Sequence, residues 1–219
     1  MSSQSLSPQC PLCQHSATTL FFKDPKRHYW QCAVCALVFV AKAEQLSHEE
    51  EKAFYGFHEN DPNDQGYRRF LDRMALPMQQ RVAKGAKGLD FGSGPGPTLS
   101  VMLQERGYQM KIFDPYFANQ PEVLTESYDF ITSTEVFEHL SAPHLIIEQL
   151  LSLLKPEGYL GVMTKRLVAP AHFSGWHYKN DPTHISFYAD QSFQWMADHY
   201  GLQLELIDQD VVVLQKRAQ

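Results

Sequence analysis

The stretch Leu89-Asp90-Phe91-Gly92-Ser93-Gly94-Pro95-Gly96 decides the fold. The apolar residues 88–91 predict a short buried strand, and residues 98–106 after the glycines predict a helix. Glycine permits a tight turn and lets the backbone approach a ligand that a Cβ atom would displace. The amino terminus of the following helix offers free N–H groups and a partial positive charge. The stretch therefore predicts a nucleotide-binding corner between a strand and a helix.

An acidic residue follows the next predicted strand. Residues 109–113 form that strand, and Asp114 lies 18 residues after Gly96. An acidic side chain at this place can bond two ribose hydroxyl groups. The spacing of Gly92, Gly94 and Gly96 is GxGxG, which differs from the GxGxxG of dinucleotide enzymes. A loop turn with a solvated aspartate is the alternative interpretation.

Strands and helices alternate after Gly85. The pattern predicts an α/β fold with a doubly wound parallel sheet. A hairpin at the end of the chain predicts that the last strand is antiparallel. The predicted strands are 88–91, 109–113, 128–133, 159–164, 202–207 and 211–214, and the predicted helices are 98–106, 143–155 and 190–200.

Four cysteines form two pairs near the start of the chain. Cys10 and Cys13 make one Cys-x-x-Cys pair, Cys32 and Cys35 make the other, and 18 residues separate the pairs. This spacing is typical of a zinc ribbon, in which two tight turns present four thiolates to one tetrahedral ion. Because four thiolates fill the coordination shell, the zinc is expected to be structural. Two disulfides in a secreted domain and a redox CxxC are the alternatives.

The chain divides into three predicted parts. A small β zinc ribbon spans 1–45, a helical linker or cap spans 46–84, and the α/β domain spans 85–219. The ribbon is too short to build a large core, so the metal is expected to supply much of its stability.

The cap has its own local signals. Ser47 and Glu50 have the spacing of a capping box, which predicts a helix start. Glycine, asparagine, aspartate and proline predict a loop at 54–66. Residues 66–82 predict a second helix, which Pro77 is expected to kink or end.

Composition and charge limit the class of protein. Of the 219 residues, 43% are hydrophobic and 20% are charged, as in ordinary globular proteins. The net charge of -6 disfavours wide binding to a nucleic-acid backbone. No apolar run approaches the roughly 20 residues of a membrane helix, and the first residues lack a signal-peptide pattern. We therefore expect a soluble, cytoplasmic protein that does not bind a membrane.

Three motifs resemble those of class I S-adenosylmethionine-dependent methyltransferases. The glycine-rich stretch 89–96 is similar to their motif I. Residues 128–140, which contain Glu135-Val136-Phe137-Glu138-His139, resemble their fourth-strand motif, commonly E-V-x-E-H. Leu154-Lys155-Pro156-Glu157-Gly158 is similar to their L-K-P-G-G entry to the fifth strand. The resemblance implies a Rossmann-like sheet of seven strands whose last strand is antiparallel.

The resemblance also implies that S-adenosylmethionine (SAM) is the cofactor. Different residues at the carboxyl ends of the strands would contact its methionine part, its ribose, its adenine and its sulfonium. The implied residues are Asp90, Gly92, Ser93, Gly94 and Gly96 for the turn and the methionine part, Asp114 for the ribose, Pro115 and Tyr116 for the adenine, and Thr134 and Glu135 for the sulfonium.

One departure from the family concerns its third strand. Only 14 residues separate Asp114 from Asp129, which is too few for a strand and its usual crossover helix. The adenine contact that many relatives make from the end of that strand is therefore expected to be missing or supplied by another loop.

Methyl transfer places known demands on the protein. Because the cofactor already carries the activated carbon, the protein must align the reactants, exclude water and often remove a proton. The candidates at the strand ends are Glu135, Glu138, His139, Lys165 and the aromatic-rich loop 173–188. The catalytic assignments among them are Glu135, His139 and the loop histidines His177 and His184. A histidine there could act as a general base near neutral pH. Helix capping, packing and structural hydrogen bonding are the alternative roles of these histidines.

Three functions remain open. The first is methyl transfer to a small or medium-sized acceptor of unknown identity. The second is methylation of an RNA base, because the basic and aromatic residues Lys23, Lys26, Arg27 and 28–30 would form an RNA-contacting cluster on the ribbon. The third is a SAM-binding regulatory or docking module without enzymatic activity. The acidic net charge disfavours RNA, and the sequence indicates no oligomeric state.

Overall fold

The computed structural model describes residues 7–55 and 61–218. Within these residues the chain forms a six-stranded and a four-stranded sheet. The first six residues of the predicted ribbon and residues 56–60 of the predicted loop lie outside the described residues, as does Gln219. The larger sheet carries the candidate site, and the smaller one packs beside it.

The strands and helices follow the predicted alternation. The strands are β1 (Thr18–Lys23), β2 (His28–Cys32), β3 (Val38–Val40), β4 (Lys87–Phe91), β5 (Gln109–Phe113), β6 (Tyr128–Thr134), β7 (Leu154–Met163), β8 (Ser186–Phe187), β9 (Leu202–Leu206) and β10 (Val211–Lys216). The helices are α1 (His48–Tyr55), α2 (Gln65–Gln79), α3 (Thr98–Glu105), α4 (Pro143–Leu153) and α5 (Asp190–Tyr200).

The main sheet has the order β5-β4-β6-β7-β10-β9. Strands β5, β4, β6 and β7 are parallel, whereas β10 runs antiparallel to both β7 and β9. Alternate residues of β10 point to opposite faces: Val211 and Val213 pack with α2 and α3, and Val212 and Leu214 pack with α4 and α5. The predicted doubly wound, Rossmann-like fold with an antiparallel last strand is confirmed.

The connection between β5 and β6 is short. It contains a 3₁₀ helix at Pro121–Thr125 and no further strand of the main sheet. The main sheet of the described residues therefore has six strands where the resemblance implied seven. The expectation that the third strand and its crossover helix are missing is confirmed, and β5 is left at the edge of the sheet.

Strand β7 follows α4 without a connecting loop, and its first residues form a bulge. The sequence predicts that the helix ends at residue 155 and that a strand begins at 159, but β7 starts at Leu154. Two nearby positions of β6 pair with Leu154 and Tyr159, so the residues between them loop out of register. Glu157 takes a φ of 62° there. Because a bulge tolerates proline and glycine, Pro156 and Gly158 do not end the strand.

The cap helices begin as predicted. The carboxylate of Glu50 accepts hydrogen bonds from the N–H and hydroxyl groups of Ser47, which confirms the capping box of α1. Asp64 caps α2 by accepting from two backbone N–H groups. Pro77 lies two residues before the end of α2, where its missing N–H removes only a terminal hydrogen bond.

The smaller sheet has the antiparallel order β1-β2-β3-β8. Its last strand comes from residues 186–187, so the ribbon sheet includes a strand of the predicted α/β domain. Leu37 and Phe39 of the ribbon belong to the same buried cluster as Phe137, Tyr188 and Phe193. The ribbon thus shares a hydrophobic core with the larger sheet.

Candidate active site

A cavity of about 670 Å³ opens at the carboxyl ends of the parallel strands. Ligands of open α/β sheets bind at this edge, and small-molecule sites have volumes of about 300–1,000 Å³. The predicted residues that line the cavity are Asp90, Gly92, Ser93, Gly94, Gly96, Asp114, Pro115, Tyr116, Thr134, Glu135, His139 and His184.

The glycine turn, residues 92–96, adopts a backbone that other residues avoid. Gly92 has a φ of 78° and Gly94 a φ of 65°. A Cβ atom on Gly92 would lie 2.3 Å from Cγ2 of Val136. The N–H groups of Gly92 and Ser93 donate to the carbonyl of Phe113 at 2.7 and 3.2 Å, which joins the turn to β5. Position 92 therefore requires glycine for both conformation and space.

The carboxylate of Asp114 organises the neighbouring loop. Its Oδ2 accepts from the N–H of Gly94 at 2.9 Å, and its Oδ1 accepts from the N–H groups of Tyr116 and Phe117 at 2.8 and 3.1 Å. A carboxylate has about four lone-pair sites, so one remains for a ligand. Asp114 thus ties the glycine turn to the loop after β5 and can still accept a hydrogen bond at the cavity.

Two buried hydroxyl groups at the cavity have no hydrogen-bond partner within the described part of the chain. They are Oγ of Ser93 and Oγ1 of Thr134. Buried polar groups are normally paired, and an unpaired one costs about 1–3 kcal/mol. A polar ligand in the cavity would supply both partners, so these residues fit a bound cofactor.

Asp90 lies at the base of the cavity near the end of β4. It is buried and accepts hydrogen bonds from the hydroxyl groups of Ser100 at 3.1 Å and Thr132 at 2.9 Å. Burial raises the pKa of its carboxyl group to about 6, although the two hydrogen bonds act in the opposite direction. These bonds connect α3 and β6 to β4 beneath the glycine turn.

Glu135 follows β6 in a strained conformation. Its φ of 54° is unusual for a residue with a side chain, and such strain often marks functional sites. The N–H of Glu135 donates to the carbonyl of Met163 at 2.7 Å, which fixes the bend. Burial, and then the nearby carboxyl group of Glu138, raises the pKa of Glu135 to about 9.

Two predicted histidines meet a buried carboxylate. The rings of His139 and His184 lie 4.7 Å apart, and the side chains of Glu138, His139 and His184 bring nitrogen and oxygen atoms within 4.8 Å of one another. Glu138 is fully buried and accepts from the hydroxyl of Thr164 at 2.8 Å and from that of Tyr178. Burial lowers the pKa of His184. The structure therefore assembles a polar cluster at the cavity wall.

His177 is not part of this cluster. It is exposed, does not line the cavity, and places Nε2 3.2 Å from Nζ of Lys165. Glu138 was a candidate at the strand ends because it belongs to the fourth-strand motif. Its hydrogen-bond partner Tyr178 lies 40 positions away in the sequence, so this contact was not predicted.

The four cysteines converge. Their sulfur atoms lie within 4.8 Å of one another, with Cys10 3.5 Å from Cys35 and Cys13 3.4 Å from Cys32. A tetrahedral ion with Zn–S bonds of about 2.3 Å places its sulfurs about 3.8 Å apart. All four cysteines are free thiols. The number, chemistry and spacing of the ligands are compatible with zinc.

Arg27 connects the ribbon to residues 179–185, here called the histidine loop because it carries His184. Only 8% of Arg27 is exposed. Its guanidinium donates to the backbone carbonyls of Lys179, Asp181 (3.1 Å), Pro182 (3.0 Å) and His184 (2.9 Å). Tyr29 is also fully buried. The prediction that these two residues form an exposed RNA-contacting cluster is therefore wrong, because their polar and aromatic groups are used inside the protein.

Replacing Arg27 with lysine is expected to loosen the histidine loop. Lysine keeps the charge but cannot reach four carbonyls from one nitrogen. Because hydrogen bonds to a charged group contribute about 1.5–3 kcal/mol each, the amide of Ile185 should exchange with solvent at least about tenfold faster. Hydrogen exchange measures this rate, and Lys26→Ala, an exposed neighbour, serves as the control. Equal exchange in both variants would contradict the connecting role of Arg27.

The strand order and the cavity define a cofactor-binding α/β enzyme of the Rossmann-like class. The family model described as "Methyltransferase domain" matches residues 58–207, and the chain belongs to this family. The predicted class, a SAM-dependent methyltransferase, is confirmed. A comparison with curated proteins finds no match.

Solved structures share the fold at low sequence identity. A Methanococcus maripaludis protein assigned as a SAM-dependent methyltransferase is 13% identical, with a TM-score of 0.52 over 78% of this chain and 93% of its own. Magnesium protoporphyrin IX methyltransferase from Synechocystis PCC 6803, solved with bound S-adenosylhomocysteine, is 11% identical, with a TM-score of 0.51 and coverage of 78% and 95%. A Haloferax volcanii methyltransferase in complex with the activator Trm112 is 13% identical, with a TM-score of 0.50 and coverage of 78% and 98%.

Within residues 7–55 and 61–218, none of the helices combines the length and the apolar character that crossing a bilayer requires.

Proposed function

We propose that this methyltransferase transfers the methyl group of SAM to a small or medium-sized acceptor bound beside Glu135, His139 and His184. The observation that carries the proposal is the cavity itself. One cavity of about 670 Å³ is lined both by the glycine turn with Asp114 and by the two histidines. Cofactor and acceptor can therefore meet in one cavity, as in-line displacement requires.

The cofactor is proposed to lie along the glycine turn. SAM supplies an electrophilic methyl group on a sulfonium sulfur. Asp114 keeps acceptor capacity for the ribose hydroxyl groups, and Ser93 and Thr134 offer buried hydroxyl groups without protein partners among the described residues. Pro115 and Tyr116 line the wall proposed for the adenine. The closely spaced glycines of the turn let the backbone approach the methionine part.

The acceptor is proposed to occupy the part of the cavity that faces the cap. Tyr67 and Phe70 of α2 line this cavity together with Glu135, so aromatic rings and a buried carboxyl group adjoin the proposed methyl position. Apolar walls exclude water, which protects the activated cofactor from hydrolysis. Glu135, His139 and His184 remain the proposed contacts to the acceptor. His177 has no part in this proposal, because it does not line the cavity.

The other two functions have less support. The net charge of -6 and the burial of Arg27 and Tyr29 disfavour the proposed RNA surface on the ribbon. A binding module without catalysis would need no polar cluster at the cavity wall. The zinc ribbon is proposed to act as a structural support, since Arg27 bonds to the histidine loop and the N–H of Val40 in β3 donates to the carbonyl of Ile185 at 2.9 Å.

Transfer of labelled methyl groups tests the proposal. Wild-type protein is incubated with methyl-labelled SAM and a cell extract, which is then separated into small molecules, RNA and protein. We expect a labelled small molecule other than SAM with the wild type, and much less of it with Asp114→Ala or with extract alone. Label in RNA would contradict the proposed acceptor class. No labelled product other than SAM in any fraction, from protein that binds SAM, would favour the non-enzymatic module.

A further inference from the structure

The polar cluster at the cavity wall has the composition of a metal site. Glu138, His139 and His184 each present one ligand atom, and all three atoms lie within 4.8 Å of one another. Two imidazoles and one carboxylate form a common ligand set for divalent first-row metals, and such sets leave coordination positions open. This cluster is separate from the four cysteines, which provide only sulfur.

Both histidines place Nδ1 at a backbone carbonyl. Nδ1 of His184 lies 2.7 Å from the carbonyl of Tyr178, and Nδ1 of His139 lies 3.2 Å from the carbonyl of Thr183. Because a carbonyl only accepts hydrogen bonds, each Nδ1 donates a proton, and Nε2 is the unprotonated nitrogen of each ring in its neutral form. Nε2 of His184 lies 3.8 Å from Oδ2 of Asp181, which also lines the cavity. Metal-ligating histidines characteristically donate their other N–H to a backbone carbonyl in this way.

Within the described ranges, the basic side chain that acts on the carboxyl group of Glu138 is the imidazole of His184. Glu138 is fully buried, and its partners are the hydroxyl groups of Thr164 and Tyr178. No lysine or arginine of the described ranges forms an ion pair with it. Buried charges in proteins are normally paired or bound to metals. The two hydroxyl groups also orient the carboxylate, as supporting residues around a metal do.

We infer that Glu138, His139 and His184 hold a divalent cation at the acceptor end of the cavity. The inference rests on the proposed function, since it assigns the acceptor contacts of that same site. His139 and His184 line the cavity, whereas Glu138 lies behind them. A cation held by these three side chains therefore keeps its open coordination positions on the cavity side.

The cation determines the chemical class of the acceptor. A bound divalent ion orients an oxygen ligand and lowers the pKa of a coordinated hydroxyl group. The acceptor is accordingly a hydroxyl compound, and the enzyme is an O-methyltransferase. In this arrangement the two histidines would position the acceptor through the ion. The acceptor oxygen would form a bond to the methyl carbon as the carbon–sulfur bond of SAM breaks, and the sulfur would keep that electron pair in S-adenosylhomocysteine. The hydroxyl proton would pass to solvent water at the opening of the cavity. Glu135 lines the cavity and interacts electrostatically with the buried carboxyl group of Glu138.

Manganese binding tests the site without any methyl acceptor. Mn²⁺ is added to the full-length protein, and electron paramagnetic resonance measures the free ion. Manganese prefers oxygen and nitrogen ligands, so the four thiolates, which favour zinc, do not compete for it. We expect one Mn²⁺ per wild-type chain and at least a tenfold loss of affinity in His184→Ala and in His139→Ala. His199→Ala, an exposed histidine on α5, should bind like the wild type.

Two further measurements distinguish a failure of the metal site from a failure of the proposed function or of folding. Mn²⁺ should raise the Tm of the wild type and leave that of the two cluster variants unchanged, which also shows whether these variants fold. Binding of S-adenosylhomocysteine to the same samples tests the proposed function independently. Retained cofactor binding without any Mn²⁺ binding would overturn the metal site alone. Mn²⁺ binding of equal affinity in all variants would also overturn it.

Discussion

Replacing Asp114 with alanine is expected to weaken the binding of S-adenosylhomocysteine, the demethylated cofactor, by at least about tenfold. Hydrogen bonds to a charged group contribute about 1.5–3 kcal/mol each, and about 1.4 kcal/mol corresponds to a tenfold change in affinity. One bond to the ribose, at the lone-pair site that the three backbone N–H groups leave open, accounts for this loss. The same carboxylate also positions the N–H groups of Gly94 and Tyr116, so the wall of the cavity becomes less ordered as well. Isothermal titration calorimetry measures the affinity.

The matched control for Asp114→Ala is Asp198→Ala. Asp198 is exposed on α5 and accepts a hydrogen bond only from Gln194 among the described contacts. Its removal should leave cofactor affinity unchanged. Circular dichroism establishes that both variants fold. A folded Asp114→Ala protein with wild-type affinity would show that the ribose is held elsewhere.

Replacing Cys32 with serine is expected to lower the Tm by at least about 10 °C. Structural zinc contributes apparent binding free energies of about 10–16 kcal/mol in zinc-finger peptides, and about 1 kcal/mol moves the Tm of a protein of this size by about 2–4 °C. The effect should extend beyond the ribbon, because Cys10, Cys32 and Cys35 belong to the same buried cluster as Phe137 and Tyr188. Differential scanning calorimetry measures the Tm, and elemental analysis should show that the variant loses one zinc per chain.

The control for the cysteine variant is Ala33→Ser. This substitution adds the same hydroxyl group at an exposed position of the same turn and leaves all four thiols in place. We expect its zinc content and Tm to match those of the wild type. A Cys32→Ser protein with unchanged Tm and metal content would contradict the structural zinc site.

Local sequence patterns predicted much of the main sheet. The glycine turn, the helix closed by Gly201 and the terminal hairpin depend on residues close together in the sequence, and the structure has them within one or two residues of the predicted bounds. Gly201 has a φ of 67°, as expected for a glycine that ends a helix. The absence of a third strand followed from chain length alone, because too few residues were available to form one.

Contacts between distant segments could not be predicted. Glu138 and His184 are 46 positions apart, and only the folded histidine loop brings them together. Likewise, Arg27 reaches carbonyls more than 150 positions away, so its basic side chain resembled a surface group in the sequence. The bulge around Glu157 was missed because proline and glycine end strands in most contexts but are accommodated where the ladder is out of register.

A crystal structure of the protein grown with S-adenosylhomocysteine tests most directly whether the cavity holds the cofactor. We expect the ribose hydroxyl groups within hydrogen-bond distance of Asp114, new partners for the hydroxyl groups of Ser93 and Thr134, and the sulfur facing Glu135. Density for the compound at another place, or an empty cavity at a saturating concentration, would contradict the account.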